Sequence, residues 1–462
     1  SVFRLPEPAV EAFAYLAQFY RNQRLLLEVP PPLVQREPPD LAAARAIVER
    51  SLAAGREVLG ATESKEFLAA FHIPVVRSEN AASADEAAAA AGRAGFPVVM
   101  KIHSADITHK SDVGGVVLGL ADAAAVRRAW EAMMATVAAR QPGARIDGVA
   151  IERMVASPHG RELMVGVASD GVFGPAISFG AGGIAVEVLR DRAVGLPPLN
   201  DALVDDMIGG TRVARMLDAF RHLPPVDRPA LRQVLLRVSE MACEIPELAE
   251  LDINPLVADE NGVLALDARV VVRRPPPGQA RYGHLAIHPY PADLATTIEI
   301  DGARLALRPI RPEDAELEMD FVDGLSAESR QMRFQSAMRR LTPAMLARFT
   351  QIDYDREMAL VAIDAGGGRE REVGVCRYIR LPDGRSCEFA IVVADDWQRR
   401  SPGRRMMARL IEIARARGLE TMIGWVLAEN ASMLEMCARL GFDSEPEPGD
   451  ALNRRQTLRL VP

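Results

Sequence analysis

Two clusters of prolines cut this chain into segments that must fold separately. Pro30-Pro-Pro-Leu33 with Arg36-Glu-Pro-Pro39, and Arg274-Pro-Pro-Pro-Gly278, lack the amide donors that a helix or a central strand needs. A length of 462 residues suits two or three domains of roughly 100–200 residues each. The composition, 49% hydrophobic and 26% charged with a mean hydropathy of +0.01, is that of an ordered soluble protein. A net charge of −8 gives no general footing for nucleic-acid binding. The seven arginines from Arg399 to Arg417 read as a solvated helix with one end facing a cofactor. No apolar run reaches membrane-spanning length, and charges at Glu7, Glu11, Arg21 and Arg24 argue against a signal peptide. The scattered cysteines Cys243, Cys376, Cys387 and Cys437 read as reduced thiols, so the expected location is cytoplasmic, without membrane or nucleic-acid partners.

From about residue 41, helical periods alternate with short apolar runs such as Pro97-Val-Val-Met-Lys-Ile102 and Gly148-Val-Ala-Ile-Glu152, which predicts an α/β or α+β fold. Lys101 ends an apolar strand, where its ammonium needs an anion, and a phosphate is the usual one. Gly114 and Gly115 allow close backbone approach. Downstream lie Ile151-Glu-Arg-Met154, the glycine-rich Phe173–Gly183 segment, and two strands joined across Asp259-Glu-Asn-Gly262. Pairing of those strands brings Asn254 and Asp267 together as hard oxygen ligands for Mg²⁺ beside nucleotide phosphates. Residues 273–302 read as an interdomain linker.

Beyond it, the alternating strand Ser386–Val393 runs into Asp395-Asp-Trp-Gln-Arg-Arg-Ser-Pro-Gly403 and then a long helix. A strand, a tight loop and a helix N-terminus make an anion site suited to the pyrophosphate of CoA. Val392, Val393, Gln398, Arg399, Arg400, Ser401, Gly403 and Arg404 are the candidate cofactor contacts, with Asn430 at a later helix start. Glu388 shares a face with Ala390 and Val392. On an inward apolar face its carboxyl should be raised, which suits a general base for acyl transfer to an amine.

Residues from about 41 to 272 resemble the ATP-grasp domain of the ADP-forming acyl-CoA synthetases, through the His109-Lys-Ser-Asp-Val-Gly-Gly115 string, the Phe173–Gly183 segment and the Asp252-Ile-Asn-Pro-Leu256 and Leu266-Asp-Ala-Arg269 pair. The resemblance implies Lys101 on the phosphates, Glu152 and Met154 at the adenine hinge, Asn254 and Asp267 on magnesium, and His109 close to phosphoryl transfer. Residues 1–34 look similar to the end of the CoA-ligase subdomain that precedes this domain in single-chain members, whose other upstream parts have no counterpart in the chain. Residues 303–460 resemble the GNAT superfamily, with a mixed-sheet α/β fold, through the Gln398–Gly403 loop and the later Leu440-Gly-Phe442. The loop departs from the family pattern at Ser401, which replaces a glycine, and at Pro402, which has no amide hydrogen. Cys437 stands where many members carry a tyrosine general acid.

An ATP-grasp module followed by a GNAT domain resembles the bacterial Pat-type protein lysine acetyltransferases. That resemblance implies acetyl-CoA, ATP and Mg²⁺ as ligands, and protein substrates with acceptor lysines, acyl-CoA synthetases foremost. It leaves room for an oligomer. Two other readings stand beside it, an ADP-forming acyl-CoA ligase subunit and a non-catalytic nucleotide- and CoA-binding regulator.

Overall fold

In the computed structural model of the protein, residues 6–26, 37–104, 106–107, 110–155, 157–183, 191–335, 340–366 and 368–461 are described. They divide into two compact units, one within Pro32–Ile287 and the other within Ser1–Pro31 and His288–Pro462. The helix Pro6–Leu26 leads the chain and leaves Phe13, Tyr15, Leu16, Phe19 and Tyr20 exposed.

The unit before Ile287 contains two sheets among its described residues. The smaller runs Ser78–Ala81, Gly148–Arg153, Val98–His103, Val116–Leu120, with antiparallel neighbours throughout. Strand alternation decides its two faces. Val98, Met100, Ile102, Val149 and Ile151 pack with the helices Ala84–Ala94 and Ala123–Arg140. Lys101 and Glu152 therefore project from the opposite face. The larger sheet runs Ala268–Val272, Leu248–Asp259, Arg161–Asp170, Gly174–Ala181, Arg192–Gly195, with Gly262–Ala265 folded back on Leu248–Asp259. Its core is closed by the helices Leu41–Ala53, Ala61–Ala70 and Arg228–Glu244, including the fully buried Phe67 and Phe71.

The unit after His288 is built on an eight-stranded sheet among the described residues. Its order is Thr296–Ile300, Ala303–Pro309, Glu357–Asp364, Arg371–Arg380, Ser386–Val393, Thr421–Leu427, Asp450–Arg459, Asp443–Glu447. The first strand lies inside the stretch expected to be a linker. Thr296-Thr-Ile-Glu-Ile300 pairs with Ala303–Pro309 through a two-residue turn whose Asp301 and Gly302 both take positive φ, 50° and 82°. Such Asp-Gly turns match the twist of a hairpin, and the flanking alternation supplies the strand. Among the described residues, no helix is long and apolar enough to cross a membrane.

Candidate functional sites

The C-terminal sheet contains one parallel pair, Ser386–Val393 beside Thr421–Leu427, and it comes apart. Ser386 pairs with Thr421, Cys387 with Met422 and Glu388 with Ile423, and there the ladder stops. Each strand stays bonded to its other neighbour, so both remain extended while a fork opens between them. Phe389 occupies the base of the fork. Its ring packs on Phe442 at 5.0 Å and lies so close to Gly424 that a Cβ there would fall 2.4 Å from the ring. Among the described residues, no strand pairs with the backbone edges facing the fork, and such edges are where an extended polar ligand can bind.

Past the fork the chain turns through the 3-10 segment Asp395–Trp397 into the helix Pro402–Ala416. Arg399 and Ser401 take left-handed backbone angles, φ 65° and 72°, and Pro402 occupies the first helical position, where no intrahelical acceptor would meet its amide. The amides of Gly403 and Arg404 follow in the first turn, at the positive end of the helix dipole. Side chains tie the loop down. Asp395 accepts from the Ser326 amide at 2.8 Å and from the Ser329 hydroxyl at 2.6 Å. The Gln398 side-chain amide donates to Ser329 Oγ at 3.0 Å and to the Val393 carbonyl at 3.1 Å. Gln398 thus shapes the loop with its side chain. Arg399, Arg400 and Arg404 are exposed, and the Arg400 guanidinium lies over the Trp397 ring.

Glu388 closes the last rung of the ladder and is exposed, so the expectation that it faces an apolar interior is corrected. The strands part immediately after it and leave it on the open side. Partial desolvation still raises its carboxyl above the ordinary value, and Arg333 pulls the other way. Arg333 also faces the buried Glu318 and Arg377. No sequence signal marked this arginine. Burial pushes the Cys437 thiol up to about 12, inside the core and unsuited to proton donation. Asn430 caps its helix by accepting from the Met433 amide at 3.1 Å. Val392 is buried by its side chain.

In the middle unit, Lys101 sits 3.0 Å from one oxygen of Glu152 and donates to the Leu266 carbonyl at 3.1 Å. The other Glu152 oxygen pairs with Lys65, which sequence reasoning missed. Lys65 lies on the buried face of the helix Ala61–Ala70. The Met154 amide is bonded to the Pro97 carbonyl at 2.9 Å. The Glu152 carboxylate, expected near an adenine, is turned toward lysines.

The hairpin across residues 259–262 brings the Asn254 amide to the Asp267 carbonyl at 3.3 Å. Asn254 Oδ1 accepts from the Gly183 amide at 2.9 Å. Among the described residues, no three His, Cys, Asp or Glu side chains cluster as a metal site. That donor set suits a magnesium ion that keeps waters and shares phosphate oxygens rather than a closed protein cage. Gly115 serves local packing, since a Cβ there would fall 2.5 Å from Ile102. His109 lies outside the described residues.

Residues 50–272 match the ATP-grasp domain family, and residues 304–443 match the acetyltransferase (GNAT) domain family. Over 232 residues the chain is 39% identical to the β subunit of ADP-forming acetate–CoA ligase I of Pyrococcus furiosus, covering 50% of this chain and 99% of that one. Over 160 residues it is 36% identical to an acetyltransferase of Pseudomonas aeruginosa, covering 35% of this chain and 86% of that one. The chain belongs to both families: an ATP-grasp domain like that of the ligase β subunits is followed by a GNAT domain. The same ATP-grasp part is 38% identical to ADP-forming acetate–CoA ligase I of Archaeoglobus fulgidus, of which it spans 33%. The fork and the helix end at Gly403 belong to the GNAT domain, and the lysine pair and the Asn254–Asp267 hairpin to the ATP-grasp domain.

Proposed function

We propose that the chain transfers the acetyl group of acetyl-CoA to lysine side chains of target proteins, as a Pat-type protein lysine acetyltransferase of the cytoplasm. In this reading the ATP-grasp domain binds ATP with Mg²⁺ and acts as a regulatory sensor. The observation that carries it is the fork after Glu388 and Ile423, with an exposed carboxylate at its base.

Acetyl-CoA supplies an activated acyl group. The fork edges, the amides of Gly403 and Arg404 and the neighbouring arginines are the groups fitted to hold it. Glu388 takes the proton of the acceptor ammonium, directly or through a water. The freed amine then forms the amide bond as the bond to sulfur breaks and the thiol leaves. A raised carboxyl is a stronger base than an ordinary one and suits this task. Buried, unpaired cysteines support a reducing compartment.

A paired assay tests the reading. The chain is incubated with acetyl-CoA and a lysine-bearing protein, an acyl-CoA synthetase first, and separately with ATP, Mg²⁺, acetate and CoA. Acetyl-lysine without ADP is expected; ADP with acetyl-CoA, or silence in both, overturns it. The ligase-subunit reading is favoured by one observation, the match to 99% of the Pyrococcus β subunit. The regulator reading is favoured by another, the left-handed Ser401 followed by Pro402 in the phosphate loop.

A further inference from the structure

Glu152 is 3% exposed and lies between two ammonium groups, Lys65 on one oxygen and Lys101 on the other. The side chain of Lys65 is 5% exposed, that of Lys101 15%. Lys101 also donates to the Leu266 carbonyl, in the link between Gly262–Ala265 and Ala268–Val272 and beside Asp267. Burial pushes the Lys65 ammonium down; Glu152 and Asp267 draw it back up, and Lys101 pushes it further down. Lys65, Lys101 and Glu152 are thus a buried charge chain, with Asp267 the next carboxylate acting on Lys65.

We propose that Lys65 is a positioning residue for the nucleotide-phosphate site of the ATP-grasp domain, acting through Glu152 on Lys101. This rests on the reading that the domain binds ATP. If Lys101 were the sole partner of Glu152, its turn toward a phosphate would strand a buried, uncompensated carboxylate. Lys65 removes that penalty. With one carboxylate oxygen held permanently, the other can release Lys101, and an incoming phosphate completes the alternation of charge from Lys65 through Glu152 and Lys101 to the ligand.

The test is titration of the full chain with ATP and Mg²⁺ by calorimetry, with circular dichroism and thermal melting as checks on folding. Lys65→Met should weaken ATP binding about ten-fold or more, the size of one lost charge-assisted contact. Lys65→Arg should stay close to the parent. Lys65→Met combined with Glu152→Gln should recover much of the loss, because the neutral amide no longer claims Lys101. A residue that only stabilises the fold would not show that recovery. Should Lys65→Met not fold, Lys65→Gln, which keeps a hydrogen bond to Glu152 without the charge, should show the same direction of loss, and parental affinity there overturns the proposal. A folded Lys65→Met with parental affinity, or a double variant no better than the single, overturns the proposal while leaving ATP binding intact. A parent chain that binds no ATP overturns both the proposal and the reading beneath it.

Discussion

The ATP-grasp domain carries buried charge held by a carboxylate, whereas the GNAT domain presents backbone amides at a helix end ringed by exposed arginines. In the first, Lys101 is placed by the Glu152 carboxylate, whose other oxygen Lys65 holds. In the second, the path of the chain does the placing: the strands part after Glu388, the loop turns through left-handed Arg399 and Ser401, and the helix starts at Pro402. Buried charge is sensitive to its partners and little affected by salt. A backbone site is sensitive to φ and to screening.

The sharpest test of that contrast is Glu388→Gln. It should lower acetyl transfer about 100-fold or more while acetyl-CoA affinity stays near the parent, as expected for a base that acts on the proton rather than on the cofactor. An unchanged rate would move the base elsewhere. Next in size is the pH profile. Glu388 must be ionised to accept a proton, so transfer should fall as pH drops through a carboxyl raised by partial desolvation, with an acid limb above the ordinary glutamate range. Arg333 opposes that rise, so Arg333→Gln should move the limb to higher pH; a shift in the other direction would break the assignment. Salt separates the two anion sites directly. Raising ionic strength from about 0.01 M to about 1 M shortens the screening length from about 30 Å to about 3 Å. Calorimetry should show acetyl-CoA binding weakened several-fold and ATP binding weakened less. The smallest expected effect is at Ser401, where φ is 72°. Ser401→Gly should relieve about 1 kcal/mol of left-handed strain and raise the melting temperature, with acetyl-CoA affinity equal or better. A loss of stability would show that the serine side chain supports the loop.

Much of the C-terminal site was legible because its signals are local. Alternation within Ser386–Val393 marks that strand with the bounds it has in the structure. The long helix expected after Gly403 is present, and it starts earlier, at Pro402. The hairpin that joins Asn254 to Asp267 was legible for a similar reason, since a turn of Asp, Asn and Gly lies between two apolar runs. The strand Thr296–Ile300 went unread although its Asp-Gly turn was visible, because neighbouring prolines weighed toward a linker.

Other features had no local signal. Lys65 sits in an ordinary helical period and meets Glu152 across 87 positions of sequence. The exposure of Glu388 depends on where two strands stop pairing, and their partners at that point are 35 residues apart, from 388 to 423. Arg333 reaches Glu388 from a separate helix. Residue periodicity and turn chemistry act between near neighbours, so the sequence by itself determined the strands, the loop and the helix end. Ion pairing and strand separation are energies between distant segments in low dielectric, so only the tertiary structure decided which lysine holds Glu152 and which carboxylate stands at the open fork.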